Sequence, residues 1–142
     1  MFELSSSQLK GRITELEVVN AFIKLGYNIS EPYVADRYDF IADVNGHLLK
    51  IQVKTASEKE GKIIFATKNT HINTQGKVYK NYKNDNIDLF ATIYNGECYL
   101  VPVAECGVSA CTLRITPALS GRKQGIRFLE DYEIEKVLKS YI

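Results

Sequence analysis

The sequence is poor in the residues that build disulfide frameworks, thiolate metal sites and membrane spans. Its 142 residues include no tryptophan, one methionine, two histidines, three prolines and three cysteines. An odd number of cysteines without a CxxC spacing favours free thiols in a reducing compartment over disulfides or a zinc site. No apolar run approaches the roughly 18–20 residues that a membrane-spanning helix needs.

No secretory signal is expected either, since Met1–Lys10 contains no apolar stretch. We therefore expect a cytoplasmic protein without a membrane partner. The net charge of +1 neither requires nor excludes a nucleic-acid partner, because acidic residues at a metal site cancel basic residues elsewhere. The length is typical of one globular domain, and no repeat or linker divides the chain, so a single domain over residues 1–142 is expected.

The hydrophobic pattern predicts a helix near each end of the chain and strands between them. Ser5–Leu25 is the first predicted helix, with a serine cap at its start and Gly26 just beyond its end. Thr70–Asn86 and Ser120–Arg127 are predicted as polar loops. This order favours an α/β (α+β) domain with a mixed central sheet flanked by helices. The other predicted elements are strands Tyr27–Ser30, Tyr38–Val44, Leu48–Ala56, Lys62–Lys68, Ile87–Tyr94, Glu97–Val103 and Thr112–Thr116, and a helix over Tyr132–Tyr141.

The first predicted hairpin places several polar side chains on one face. With Asn45 and Gly46 as its two loop residues, facing residues have numbers that sum to 91, so Asp39 lies opposite Gln52. Lys54 lies two residues beyond Gln52 and therefore projects from the same face. The alternate residues are predicted to point into the core: Leu49, Ile51 and Val53.

The first predicted helix directs one carboxylate towards the core. At about 100° per residue, Glu15 lies on the apolar arc, whereas Glu17 projects to the opposite side. Burial of an unpaired charge is costly, so Glu15 is predicted to meet a cation or donor where the helix packs on the polar face of the hairpin. The alternative is a carboxylate at the edge of the arc that reaches solvent. The apolar residues of the arc are Leu16, Val18, Val19, Phe22 and Ile23.

This combination of side chains is typical of phosphodiester hydrolysis. The reaction requires a divalent cation held by oxygen ligands, an activated water and stabilisation of the developing charge. Asp39 is the predicted direct ligand of Mg²⁺ or Mn²⁺, and Glu15 binds it directly or through water. The amide oxygen of Gln52 or the carbonyl of Val53 completes the shell, and Lys54 orients or deprotonates the water or balances charge. The alternative is an ordinary amphipathic hairpin with a charged outer face.

Three segments resemble motifs of the PD-(D/E)xK nucleases. Gly11-x-x-x-Glu15-x-Glu17, followed by Gly26-Tyr27, is similar to the first helix of archaeal Holliday-junction resolvases. The two halves of the catalytic motif are similar to Arg37-Tyr38-Asp39-Phe40-Ile41 and Ile51-Gln52-Val53-Lys54-Thr55. The small PD-(D/E)xK family that includes a group I intron-encoded homing endonuclease of cyanobacteria also carries glutamine at the position of Gln52. Its second half resembles Ile87–Ala91, Cys98–Pro102 and Leu113–Ile115.

The resemblance implies a restriction-endonuclease-like core and magnesium-dependent cleavage of double-stranded DNA at a specific homing site. A homo-oligomer, either dimer or tetramer, is expected because two strands need two active sites. A junction resolvase or restriction-type nuclease of the same fold is the alternative enzyme. A catalytically inactive DNA-binding module is the alternative of another class, and Gln52 favours it because the amide removes one negative charge. Tyr38 replaces the proline that gives the motif its name.

Basic residues in the two predicted loops are the expected contacts to DNA. Lysines neutralise phosphates and release counterions, and the interleaved tyrosines can stack or bind phosphate oxygens. The alternative for any single lysine is a solvated loop. The predicted DNA-contacting residues are Lys68, Lys77, Tyr79, Lys80, Lys83, Arg122 and Lys123.

Overall fold

The structure, a computed structural model, describes residues 5–73, 76–81, 86–116 and 125–142. No helix in these ranges is both long and apolar enough to cross a lipid bilayer. The helices are α1, Ser6–Lys24, and α2, Ile134–Leu138. The strands are β1 Asn28–Ser30, β2 Phe40–Val44, β3 His47–Val53, β4 Ser57–Lys59, β5 Lys62–Ala66, β6 Lys68–Asn73, β7 Gly76–Asn81, β8 Leu89–Tyr94, β9 Glu97–Pro102 and β10 Ala110–Arg114.

α1 begins at a capping box. The Gln8 backbone N–H donates to Ser5 Oγ over 3.2 Å, and the Ser5 backbone N–H donates to Gln8 Oε1 over 3.0 Å. Two backbone donors at the helix start are therefore satisfied by side chains. Gly26, beyond the end of α1, has φ +89°, a left-handed conformation that glycine adopts without a Cβ penalty. The predicted helix is confirmed to within one residue at each end.

The buried face of α1 differs from the predicted one. Leu16 and Ile23, predicted to lie in the core, are 52% and 56% exposed. That prediction was wrong because α1 carries apolar residues on two opposite stripes, and an apolar arc alone does not indicate which stripe meets the sheet. Glu15 lies at the edge of the buried face, and Glu17 is exposed as predicted. The side chains that α1 buries are Thr14, Val18 and Phe22.

The central sheet is mixed, with strand order β1-β2-β3-β8-β9. β3 and β8 are parallel, and the other neighbours are antiparallel. Asn45 and Gly46 both have positive φ, as a two-residue type I′ turn between β2 and β3 requires. All five residue pairs of this hairpin have numbers that sum to 91, so the predicted register is confirmed.

Two hydrophobic clusters lie on opposite faces of the central sheet. One packs α1 and α2 against residues such as Phe40 and Ile51, and the other packs a three-stranded sheet, β10-β5-β4, against residues such as Phe90 and Val101. The predicted mixed sheet is therefore flanked by helices on one face. The second sheet covers the other face, and the hydrophobic pattern of the sequence did not predict it.

β6 and β7 pair as an antiparallel two-stranded sheet, and from Thr70 onward they lie in the predicted loop Thr70–Asn86. The loop prediction was wrong over these strands because it relied on polarity alone. β-branched and aromatic residues favour extended structure even in a polar context. The two strands contain four such residues: Thr70, Ile72, Val78 and Tyr79.

Candidate active site

Asp39 lies where the hairpin of β2 and β3 opens. Its backbone N–H donates to the Ile51 carbonyl over 2.8 Å, and its Oδ2 accepts a hydrogen bond from the Val53 N–H over 2.8 Å. The side chain thus continues the ladder beyond β2 and fixes the carboxylate at the strand end. Burial raises the pKa of Asp39, while the Val53 N–H, Lys54 and Arg12 act in the opposite direction.

Lys54 directly follows β3 and remains attached to the neighbouring strand β8. Its backbone N–H donates to the Ala91 carbonyl over 2.8 Å. Burial lowers the pKa of Lys54, and the Asp39 carboxylate partly opposes that shift. A lysine with a lowered pKa beside a carboxylate is suited both to proton transfer and to charge stabilisation.

Glu15 reaches this end of the sheet from α1. α1 packs on the sheet face that holds Ile51. The sequence prediction placed α1 on the opposite face, which carries Gln52, and was wrong in this respect. The Thr55 hydroxyl donates to Thr14 Oγ1 over 3.3 Å, which joins the helix to the chain that leaves β3. Burial raises the pKa of Glu15, and the charge of Asp39 raises it further. The two carboxylates are therefore close enough to repel each other.

Two charged residues near these carboxylates, Arg12 and Glu31, were not predicted from the sequence. Arg12 Nη1 lies 3.0 Å from Glu15 Oε1, and the guanidinium lowers the pKa of both carboxyl groups against their overall rise. Glu31, just after β1, raises the pKa of Glu15. The i, i+3 spacing on the helix could have indicated Arg12. The position of Glu31 near the site depends on the pairing of Ser30 with Ile41, and the sequence pattern does not show that register.

Gln52 lies beside this group in β3. Its side chain is partly exposed and alternates with the fully buried Ile51, and it is paired with Phe90 of β8. The mutual effects on their pKa values show that Glu15 and Lys54 both lie near Asp39, so the three side chains form one electrostatic group. Gln52 and the backbone of Val53 are the adjoining positions on the strand.

The donor set fits a hard divalent cation. Two mutually repelling carboxylates favour a positive charge near them, and the Gln52 amide and Val53 carbonyl add neutral oxygen donors. Over residues 5–73, 76–81, 86–116 and 125–142, no three His, Cys, Asp or Glu side chains gather closely enough to hold a metal. Mg²⁺ accepts one or two carboxylates completed by water and substrate phosphate, so two carboxylates suffice.

Four of the seven predicted DNA contacts belong to the two-stranded sheet of β6 and β7. Lys68 is exposed at the first residue of β6. Three of the residues belong to β7: Lys77, Tyr79 and Lys80. The remaining three lie outside the described residues: Lys83, Arg122 and Lys123. DNA contact at these seven positions stays a prediction.

Comparisons with known proteins point to one family. The family model described as PD-(D/E)XK endonuclease matches residues 5–135. The solved structure of a bacterial homing endonuclease, I-Ssp6803I, matches with a TM-score of 0.75 and 26% sequence identity, over 96% of this chain and 96% of that chain. No curated protein matches the chain. The resemblance drawn from the three sequence motifs and the predicted fold class are thereby confirmed.

Proposed function

This chain belongs to the PD-(D/E)XK endonuclease family, and we propose that it cuts double-stranded DNA with Mg²⁺ or Mn²⁺ as a site-specific enzyme of the homing type. The observation that carries this proposal is the grouping of Glu15, Asp39 and Lys54 at the end of β3. The similarity to a homing endonuclease along nearly the whole chain supports the homing type.

Each residue of the site has a separate task in this proposal. Asp39 and Glu15 would hold the cation together with the Gln52 amide oxygen and the Val53 carbonyl, and the Val53 N–H keeps the Asp39 carboxylate in place. When bound, the cation supplies Lewis-acid stabilisation of the phosphoryl oxygen and acidifies water. Lys54, whose pKa is lowered by burial, accepts the proton of the attacking water or balances the charge that develops on the phosphate.

The role of Gln52 gives a prediction about metal affinity. Gln52→Glu adds a negative charge to the proposed shell, so we expect Mg²⁺ to bind roughly tenfold more tightly, and Gln52→Ala should weaken binding by a similar factor. The cleavage rate of Gln52→Glu should not rise in proportion, because the new carboxylate also raises the pKa of Lys54. Calorimetric Mg²⁺ titration with noncleavable DNA compares the three proteins. Identical affinities would place Gln52 outside the metal shell.

Self-association of this chain is the second part of the proposal, because a double-strand cut needs two sites. The side of α1 opposite the core supports it: Leu9, Ile13, Leu16 and Ile23 are each about half exposed, between 48% and 56%. Their spacing alternates between four and three residues, with Asn20 in the remaining position, as in the a and d positions of a two-heptad coiled coil. We propose that this apolar stripe packs against a second copy.

Leu16→Glu tests this association. Leu16 is central in the stripe and 52% exposed, so the variant should keep its fold. Loss of one leucine contact from each subunit removes about 3 kcal/mol, roughly a 100-fold weaker association. Light scattering after gel filtration should show an oligomer for the wild type and a monomer for Leu16→Glu. Lys10→Glu, a charge change at another exposed position of α1, is the control. A monomeric wild type would contradict the proposal.

Two other functions remain as alternatives. Gln52, which replaces a metal-binding carboxylate, favours a catalytically inactive DNA-binding module. The similarity of the first helix to that of junction resolvases favours cleavage of branched DNA, and a four-way junction offered beside linear duplex tests it. In each case the proposed contacts to DNA are the same predicted residues: Lys68, Lys77, Tyr79, Lys80, Lys83, Arg122 and Lys123.

A further inference from the structure

The outer face of the second sheet carries three basic side chains in a single row. The strand registers pair Lys59 with Lys62, and Lys62 with Arg114, so the three residues are direct neighbours across β4, β5 and β10. Paired residues project from the same face, and neighbouring strands lie about 4.8 Å apart, so the row spans roughly 10 Å. Lys59 is exposed, and the other two residues are half-buried. We name Lys59, Lys62 and Arg114 the basic row.

The basic row points away from the protein core. The next row along the strands contains Ile63 and Leu113, which are fully buried in the cluster between the two sheets. Glu58 belongs to that inner row and shares a hydrogen bond with Tyr94, while Glu60 lies in the turn that joins β4 to β5. The strand residues that share the outer face with the basic row are all uncharged: Ser57, Ile64, Ala66, Ala110 and Thr112.

A row of like charges lowers the stability of a sheet. Charges of the same sign that lie directly opposite on neighbouring strands destabilise the pair, and this row contains two such pairs. The Arg114 N–H donates to the Arg127 carbonyl over 2.8 Å, and the Arg114 Nε donates to the Thr116 carbonyl over 3.1 Å, so both the backbone and the side chain of Arg114 are held at this edge of the sheet. A pocket of about 250 Å³ has Lys62, Arg114 and Arg127 in its wall, and its described lining residues include no carboxylate. An anionic partner would offset this repulsion.

We propose that the basic row binds the phosphate backbone of DNA. The proposal rests on the proposed function, which makes DNA the polyanion that this chain meets. Each DNA strand presents one phosphate about every 3.4 Å along the helix axis, so a row of roughly 10 Å faces about three phosphates. Such contacts hold and orient the duplex without reading its sequence. Neither the seven predicted DNA contacts nor the active-site residues include any member of this surface.

Lys59→Ala/Lys62→Ala is the variant that tests this surface. Binding to a short fluorescent duplex of arbitrary sequence, in EDTA so that no cleavage occurs, is measured over a series of salt concentrations. Loss of two phosphate contacts should flatten the slope of log affinity against log salt by about 1.8. The matched control is Lys24→Ala/Lys139→Ala, which removes two exposed charges from the helical side of the molecule and should keep the wild-type slope.

Thermal unfolding without DNA supplies the second readout. Removal of the like-charge neighbours should leave the midpoint of the variant equal to or above that of the wild type. An unchanged salt slope, an equal loss of slope in the control, or a lower midpoint would each overturn the proposal. Failure of the proposed function would look different. In that case the wild-type protein would not cleave DNA with metal, but the salt slopes of the wild type and Lys59→Ala/Lys62→Ala would still differ.

Discussion

Asp39→Asn is expected to abolish metal-dependent DNA cleavage and to leave the fold intact. The substitution removes the charge of the proposed direct metal ligand, but an asparagine oxygen can still accept the hydrogen bond from the Val53 N–H. Loss of a single charge-stabilising group at an active site costs about 10²–10³-fold in rate, and loss of the metal itself should cost at least that. Cleavage rates in Mg²⁺, together with circular dichroism, measure both halves of this prediction.

Stability adds a second signature for the same variant. The pKa of Asp39 is raised in the folded protein, chiefly by burial. The folded state therefore binds this proton more tightly than the unfolded state. Protonated Asp39 thus stabilises the folded protein at low pH, and this stabilisation is lost as pH rises through the folded pKa. At neutral pH without metal, Asp39→Asn should unfold at the same temperature as wild type or higher. Mg²⁺ should raise the midpoint of wild type only.

Asp43→Asn is the matched control for Asp39→Asn. Asp43 belongs to β2, is exposed, and accepts a hydrogen bond from the Gly46 N–H over 3.0 Å in the turn. Asparagine can accept the same bond, so this variant should cleave DNA at the wild-type rate. Full activity in Asp39→Asn, or an equal loss in Asp43→Asn, would contradict the assignment of Asp39 to the metal site.

Glu15→Gln is expected to lower the cleavage rate by at least about 10²-fold, the scale of a lost active-site charge, whereas Glu17→Gln should keep the wild-type rate. Glu15 lies at the edge of the buried face and interacts with Asp39, while Glu17 is exposed on another side of the same helix. The neutral amide still fits the site, but the substitution removes one of the two negative charges that attract the cation.

The comparison of these two variants separates catalysis from stability. Glu15→Gln breaks the ion pair with Arg12, in which the Arg12 side chain is 54% exposed and the Glu15 side chain 23%, and ion pairs open to solvent contribute at most about 1 kcal/mol. The two variants should therefore unfold at similar temperatures, and their cleavage rates should differ. Loss of activity in Glu17→Gln with full activity in Glu15→Gln would show that the proposed orientation of α1 is wrong.

The register of the first hairpin was predictable because local chemistry determines it. Asn45-Gly46 selects a two-residue turn, and the turn sets every pairing in β2 and β3, including the position of Asp39 near the end of β3. The capping box and Gly26 similarly define the ends of α1 from residues within one helical turn. Elements with local determinants could thus be predicted almost residue by residue.

The parts that could not be predicted depend on contacts between distant segments. β10 pairs with β5 across a long stretch of chain, and no local signal indicates that partner. α1 has two apolar stripes, so only the packed structure shows that Val18 faces the sheet and Leu16 does not. Glu15 was predicted to reach the site across the polar face of the hairpin. It reaches the site from the opposite side, at the strand end, where Thr14 contacts Thr55.

Metal-dependent cleavage of DNA by the wild-type protein is the most direct test of the central claim. A complex pool of long DNA fragments, with supercoiled plasmid and a four-way junction included, is incubated with Mg²⁺ or Mn²⁺, and the new ends are sequenced. Matched reactions contain EDTA or Asp39→Asn. We expect new ends at a small number of recurrent positions in duplex DNA, only with metal and only with the wild type. DNA binding without new ends in either metal would contradict a nuclease and support an inactive binding module.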